Sequence, residues 1–274
     1  MNEENLLLFQ DSLKMRNYSE STIKSYKSSI NKFFQWNADN LKLTKDLLYN
    51  YFNHLTNCQN SYSHIKNSII SLKLYADMIL GMSFNIDFLK NLKRPEKLPT
   101  TLSIEEVKKI LTSIENLKHK AVLSLIYSCG LRISECIKLK IEDFDFSKMR
   151  IKITQSDGNV DRYVRPTSKL TDLLKEYFNV YQPATNFFQG RFKDEFSPKS
   201  IQNILKSALE KASINKNITV HSLRHSFATH LVEQGVDIRI IQKILGHKDI
   251  RTTQKYQYIS SVNISNIFNP FESF

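Results

Sequence analysis

Residues 221–231 read HSLRHSFATHL, and this stretch decides what the second half of the chain is built to do. His221, Arg224, His225 and, one turn on, Thr229 fall where a helix begins, so His221 and Arg224, three apart, share a face. A guanidinium and an imidazole on one face, beside a helix N-terminus whose free N–H groups also favour anions, make a phosphate clamp. Taken alone, the segment also reads as a surface helix with a chance basic cluster.

Working outward, HSFATHLVEQ is closed by Gly235 and IRIIQKILG by Gly246, glycines placed where helices stop. The stretch LGHKDIRTTQKYQY (residues 245–258) then sets His247 just past a stopped helix and Tyr256 nine residues later. Upstream, YSCGLRISEC (residues 127–136) sets Arg132 after Gly130, with Glu135 three residues further on. Between these motifs, RIKITQ and VDRYV alternate around Ser156-Asp157-Gly158-Asn159, which reads as a hairpin. Ser103 and Glu106 form a capping box that opens a helix through Ile114, and a longer helix runs from about Lys118 to Gly130. Helices resume from Ser168 and include SPKSIQNILKSALEKAS (residues 197–213).

Residues 1–90 read as four short helices. Ser19 or Ser21 caps one whose apolar positions Ile23, Tyr26, Ile30, Phe33 and Phe34 recur at three- and four-residue spacings. Lys24, Lys27 and Lys32 lie off that stripe. Another helix begins after Thr44, and a further one runs from about Tyr62 to Leu80 and stops at Gly81. Residues 91–101, NLKRPEKLPTT, hold two of the six prolines and no periodicity, as a linker does. The expected fold is therefore mainly α with a small antiparallel β-hairpin, in two domains: a helical bundle over 1–90, the linker 91–101 and a second domain over 102–274.

Only 6 Gly and 6 Pro among 274 residues argue against a many-stranded sandwich or barrel. No apolar run reaches the roughly 20 residues of a membrane span, so a cytoplasmic chain is expected. Cys58, Cys129 and Cys136 are odd in number and show no CxxC pairing, which points to reduced, buried thiols rather than zinc or disulfides. The 39 Lys+Arg against 27 Asp+Glu leave a net charge of +12, which favours a polyanionic partner. Up to Lys97 there are 13 basic against 9 acidic residues and beyond it 26 against 18, so both halves are basic.

Three separated motifs, GLRISE, HSLRHSFATHL and LGHKDIRTTQKY, stand in the order found in the tyrosine recombinases, the phage-integrase and Xer-like enzymes, and the chain resembles that family over nearly its whole length. The resemblance implies an N-terminal core-binding domain and a C-terminal catalytic domain that clamp a specific site on double-stranded DNA. It implies cleavage through a 3′-phosphotyrosyl intermediate with Tyr256 as nucleophile, selected over Tyr258 by the GH-x8-Y spacing. One phosphoester is exchanged for another, so neither ATP, a metal nor another cofactor is expected. Arg132 and Arg224 would hold the non-bridging oxygens, a task that suits a bidentate, always-charged guanidinium. His221 would serve as general acid/base, His247 as a further hydrogen bond to the phosphate, and Glu135 as a support that orients a neighbour. His225 and His230 read as packing or capping residues.

One departure concerns the hairpin turn. The family usually carries a lysine there that protonates the leaving 5′-oxygen, whereas QSDGNVDR (residues 155–162) places Asp157 in that position. Either Lys152 or another nearby amine substitutes, or His221 carries more of the proton transfer, or the chain is a weak or altered enzyme. The tail, residues 259–274, carries Ile264, Ile267, Phe268, Phe271 and Phe274, an apolar set that needs a partner. In the family such a tail docks onto a neighbouring protomer, giving a dimer per site and a tetramer in the synapse. Two other readings share the fold: an accessory DNA-binding protein with weak cleavage, supported by Asp157, and a type IB topoisomerase.

Overall fold

The computed structural model describes residues 3–37, 42–92, 99–154, 160–190 and 196–259. The chain divides into two compact units, Met1–Lys97 and Leu98–Phe274.

In the first unit, four helices bury one face each: α1 (Glu3–Met15), α2 (Glu20–Trp36), α3 (Lys45–Asn57) and α4 (Tyr62–Tyr75). Ser19, Thr44 and Ser61 each accept a hydrogen bond from the backbone N–H three residues on, satisfying a donor that the first helical turn leaves unpaired. Ile23, Ile30 and Phe33 of α2 join Phe9, Leu48, Tyr51, Ile69 and Leu72 in one core, with Tyr26 and Phe34 packed at its edge. The helical run expected to reach Leu80 does continue, but Ala76–Leu80 widens into a π-turn before Gly81, at φ 64°, stops it. Cys58 departs from expectation: it caps the C-terminus of α3 and is exposed. Cys129 and Cys136 are buried as expected.

Among the described residues, the second unit packs eight α-helices and one small sheet. The helices are α5 (Ile104–Thr112), α6 (Leu117–Ser128), α7 (Ile133–Lys138), α8 (Ser168–Tyr181), α9 (Pro198–Lys211), α10 (Val220–Glu233), α11 (Ile238–Leu245) and α12 (Arg251–Ile259). The capping box of Ser103 and Glu106 is present at the start of α5. The sheet has the order β1 (Phe144–Asp145), β2 (Arg150–Thr154) and β3 (Val160–Val164), all antiparallel. The expected hairpin is thus joined by a two-residue strand too short to show a period in the sequence. Its turn, with Asp157, lies outside the described residues.

Ile151 pairs with Val164 and Ile153 with Arg162, so these four side chains share the face turned to the core. Tyr163 points the other way and is exposed, with the Arg150 guanidinium over its ring. Helix α10 is buried on nearly every side, although it carries six polar or charged buried residues from Ser222 to His230. His230 is the packing residue expected of it: Nε2 lies 2.9 Å from the Leu102 carbonyl and Nδ1 2.9 Å from the Tyr127 hydroxyl. The carbonyl accepts only, so Nε2 carries the proton and Nδ1 accepts from Tyr127. Among the described residues, no helix is long and apolar enough to cross a membrane.

Candidate active site

Arg132 precedes the first residue of α7, and the Glu135 side chain folds back to accept the Arg132 backbone N–H at 2.7 Å. The turn from α6 into that position is made by Gly130 at φ 59°. A Cβ added there would lie 2.8 Å from both Phe227 Cδ1 and Leu245 Cδ2. Gly130→Ala is accordingly expected to lower stability by about 2–4 kcal/mol, combining left-handed backbone strain with overpacking, as read by urea unfolding followed in the far-ultraviolet.

Three arginines converge on one carboxylate. The Glu135 carboxylate pairs with the Arg132 guanidinium, accepts from Arg162 at 3.1 and 3.0 Å, and lies 3.6 Å from Arg224 Nη1. The opposite sides of the same guanidinium groups cap α11. Arg162 Nε donates to the Ile244 carbonyl at 2.6 Å, Arg224 Nη2 to Leu245 at 2.6 Å and Arg132 Nη2 to Gly246 at 3.2 Å. These carbonyls have no intrahelical partner, and the helix dipole places negative potential there, so three cations are stabilised at one helix end. Arg224 also donates to the Gly130 carbonyl at 2.8 Å, which ties α6, α10 and α11 together through one buried side chain.

Burial by itself would raise the Glu135 carboxyl, yet the Arg162 hydrogen bonds and the charges around it hold it below the ordinary glutamate range. Desolvation and the neighbouring Arg132 charge lower Arg224 to about 10, where it is still a cation at neutral pH. Its Nε is buried with no hydrogen-bond partner among the described residues, an open donor of the kind that an anionic ligand fills.

His247 follows Gly246, and its Nδ1 lies 2.9 Å from the hydroxyl of Thr253 on α12. One turn on, Tyr256 is 1% exposed, with its ring parallel to that of His247 at 6.4 Å. Tyr258, two residues further, is 80% exposed. Burial pushes the Tyr256 hydroxyl up to about 12 against the opposing pull of Arg224 and Arg132. His247 is held down to about 4, first by burial and then by Arg224, Arg132 and Lys255. His221, at the start of α10, keeps an exposed edge but is also lowered, first by partial desolvation against its neighbours and then by Arg224.

Arg132, Glu135, Lys138, His247, Lys248 and Thr252 line an open cavity of about 510 Å³. Lys152 is not part of that lining. Its ammonium pairs with the buried Asp143 at 3.2 Å, and the amines that line the cavity with Arg132, among the described residues, are those of Lys138 and Lys248.

Two functional neighbours were not picked out from the sequence. Arg162 is one, and its parity with Val164 on β3 is the local signal that places it on the inward face. His225 is the other: instead of only packing, its Nδ1 lies 2.8 Å from the Tyr256 hydroxyl. Nothing local in the sequence marks that contact.

The phage integrase family profile matches residues 100–261, and the profile for the phage integrase N-terminal SAM-like domain matches residues 6–85. The chain is 34% identical over 268 residues to the tyrosine recombinase XerA of Pyrococcus horikoshii, covering 96% of this chain and 92% of that one. The chain is a member of the tyrosine recombinases. This recombinase therefore belongs to a family of enzymes that cut and rejoin DNA through a tyrosine intermediate. Among solved structures it resembles a XerA recombinase, with 27% identity, a TM-score of 0.57 and 94% of each chain covered. The fold also matches XerH bound to a palindromic difH substrate in a post-cleavage complex, with 22% identity and a TM-score of 0.76, over 90% of this chain and 78% of that one.

Proposed function

We propose that this recombinase cuts a specific duplex site with Tyr256, whose Oη attacks the scissile phosphorus to leave a 3′-phosphotyrosyl bond and a free 5′-hydroxyl. Arg132 and the open Nε of Arg224 hold the non-bridging oxygens and neutralise charge as the pentacovalent transition state forms. His247 contributes a hydrogen bond to the same phosphate, and exposed His221 exchanges protons at the leaving oxygen. Glu135 keeps the guanidinium groups in register. The observation that carries this reading is the meeting of Arg132 and Arg224 at one carboxylate and one helix end, with His247 directly after that end and its ring parallel to that of Tyr256 at 6.4 Å.

Protein selected against a randomised duplex library supplies the site to test. That site is rebuilt with a nick just beyond each candidate phosphate, so that the short 5′-hydroxyl fragment diffuses away and traps the adduct. A band that survives denaturation and disappears on proteolysis is expected. Retained DNA binding without such a band would instead favour the accessory binding protein.

Supporting contacts come from the first unit, where a groove of about 680 Å³ is lined by Lys14, Lys24, Lys27 and Lys32 among polar residues. If these lysines meet phosphates, Lys24→Ala and Lys32→Ala each reduce the slope of log affinity against log salt by about 0.9 and weaken specific and nonspecific DNA alike. An unchanged slope would place the DNA elsewhere on that unit. Residues 91–101 serve as linker, and residues 260–274 serve as the tail that docks onto a second protomer, giving a dimer per site and a tetramer in the synapse. The compartment proposed is the cytoplasm.

A further inference from the structure

We propose that His225 is the proton acceptor of the cleavage step, taking the Tyr256 hydroxyl proton on Nδ1 as Oη attacks phosphorus; this rests on the reading of Tyr256 as nucleophile. The two atoms are already 2.8 Å apart in a pocket from which both side chains are nearly shut off from water, at 8% and 1% exposure. His225 follows Arg224 directly on α10. The helix that anchors a phosphate-binding guanidinium therefore also fixes this imidazole, and anything that shifts one shifts the other.

The protonation states agree with that direction of transfer. His225 is held down to about 3 by burial first and then by His221, Lys255, Arg224 and His247, so its ring is neutral and one nitrogen is bare. Tyr256 keeps its proton in the free protein. In the tautomer with the ring proton on Nε2, the Tyr256 Oη–H donates to the bare Nδ1, and this is the arrangement the proposal assigns.

A scissile phosphodiester brings one negative charge among the cations that depress His225, and so raises the imidazole toward its ordinary range. The substrate thereby makes its own base competent. In the step, the Oη–H bond breaks and Nδ1–H forms, Oη–P forms and P–O5′ breaks. The P–O5′ electron pair stays on the 5′-oxygen, which is protonated by His221 in its imidazolium form, an exposed ring that takes its proton from solvent once the phosphate charge is in place and whose centre lies 4.3 Å from that of His225. Rejoining runs the same transfers backwards.

The test uses the full chain and the trapping duplex described above, in single turnover. His225→Asn keeps an acceptor oxygen near the Nδ1 position but cannot hold the proton. It is expected to slow adduct formation about 100-fold or more at neutral pH while leaving DNA affinity within about threefold. Its rate should climb about tenfold per pH unit where the wild type levels off. With sulfur in place of the bridging 5′-oxygen, the leaving group needs no proton. His221→Asn should then recover, whereas His225→Asn should stay slow.

Cleavage by His225→Asn within threefold of wild type would overturn the proposal, as would its rescue by the sulfur substrate. His225→Gln replaces it if the Asn variant does not bind DNA, and the same two outcomes apply. If the wild type itself forms no adduct, the nucleophile assignment fails first, and that control separates the two failures.

Discussion

Tyr256→Phe should abolish the covalent protein–DNA band, a loss of more than about 10⁴-fold, while DNA affinity stays within about twofold. The substitution removes one oxygen and keeps the ring that packs with Ala228, Ile241 and Leu245, so the local core survives. What is lost besides the nucleophile is one hydrogen bond, which leaves His225 Nδ1 without a partner at a cost of about 1–2 kcal/mol. Tyr258 cannot take over. Two residues along α12 are about 200° of helix, which turns its ring away from His225 and into solvent, where it is 80% exposed. Tyr258→Phe should therefore cleave like wild type. A band that persists in Tyr256→Phe, or that is lost in Tyr258→Phe, would refute the assignment.

Glu135→Gln should have the largest effect on stability, a loss of about 3–5 kcal/mol. The change keeps the shape of the side chain but removes the charge that Arg132, Arg162 and Arg224 share, leaving the Asp161 carboxylate, paired with Arg162, beside them. Arg162 and Arg224 are 6% and 1% exposed, so water cannot make up the difference. The expected signature is confined to one unit. The single tryptophan, Trp36, lies in the first unit, so its fluorescence transition should stay in place while the far-ultraviolet transition of the second unit moves to lower urea.

The pH dependence follows from the lowered Glu135 carboxyl. A carboxylate held below its unfolded value adds stability that is complete above about pH 4–5 and is lost as pH falls through the lowered folded value. The gap between wild type and Glu135→Gln should therefore be widest near neutrality and close in acid. A gap that does not change with pH would mean that the carboxylate charge is not what holds the arginines.

Much of this recombinase was legible because the signals are local. The capping residues Ser19, Thr44 and Ser103 and the stopping glycines Gly81, Gly235 and Gly246 act through backbone groups only a few residues away. The π-turn after α4, the strand β1 and the exposure of Cys58 were not legible, since each depends on what packs nearby rather than on its own neighbours in the chain. Lys152 shows the same limit: an amine at a suggestive position is engaged by Asp143, a carboxylate on the segment leading into β1.

By itself, the order of residues determined the two-unit helical plan and the basic charge of both units, because periodicity, caps and composition are properties of the chain, while the choice of Arg132, His221, Arg224, His247 and Tyr256 came from the resemblance of three motifs to the tyrosine recombinases. Only the tertiary structure decided which charges face which. It set three guanidinium groups between Glu135 and the last carbonyls of α11, and it brought His225 to the Tyr256 hydroxyl across 31 residues of sequence. Those contacts join segments whose separation in the chain carries no energetic signal until packing removes the water between them, and at that point each charge or donor must find its partner.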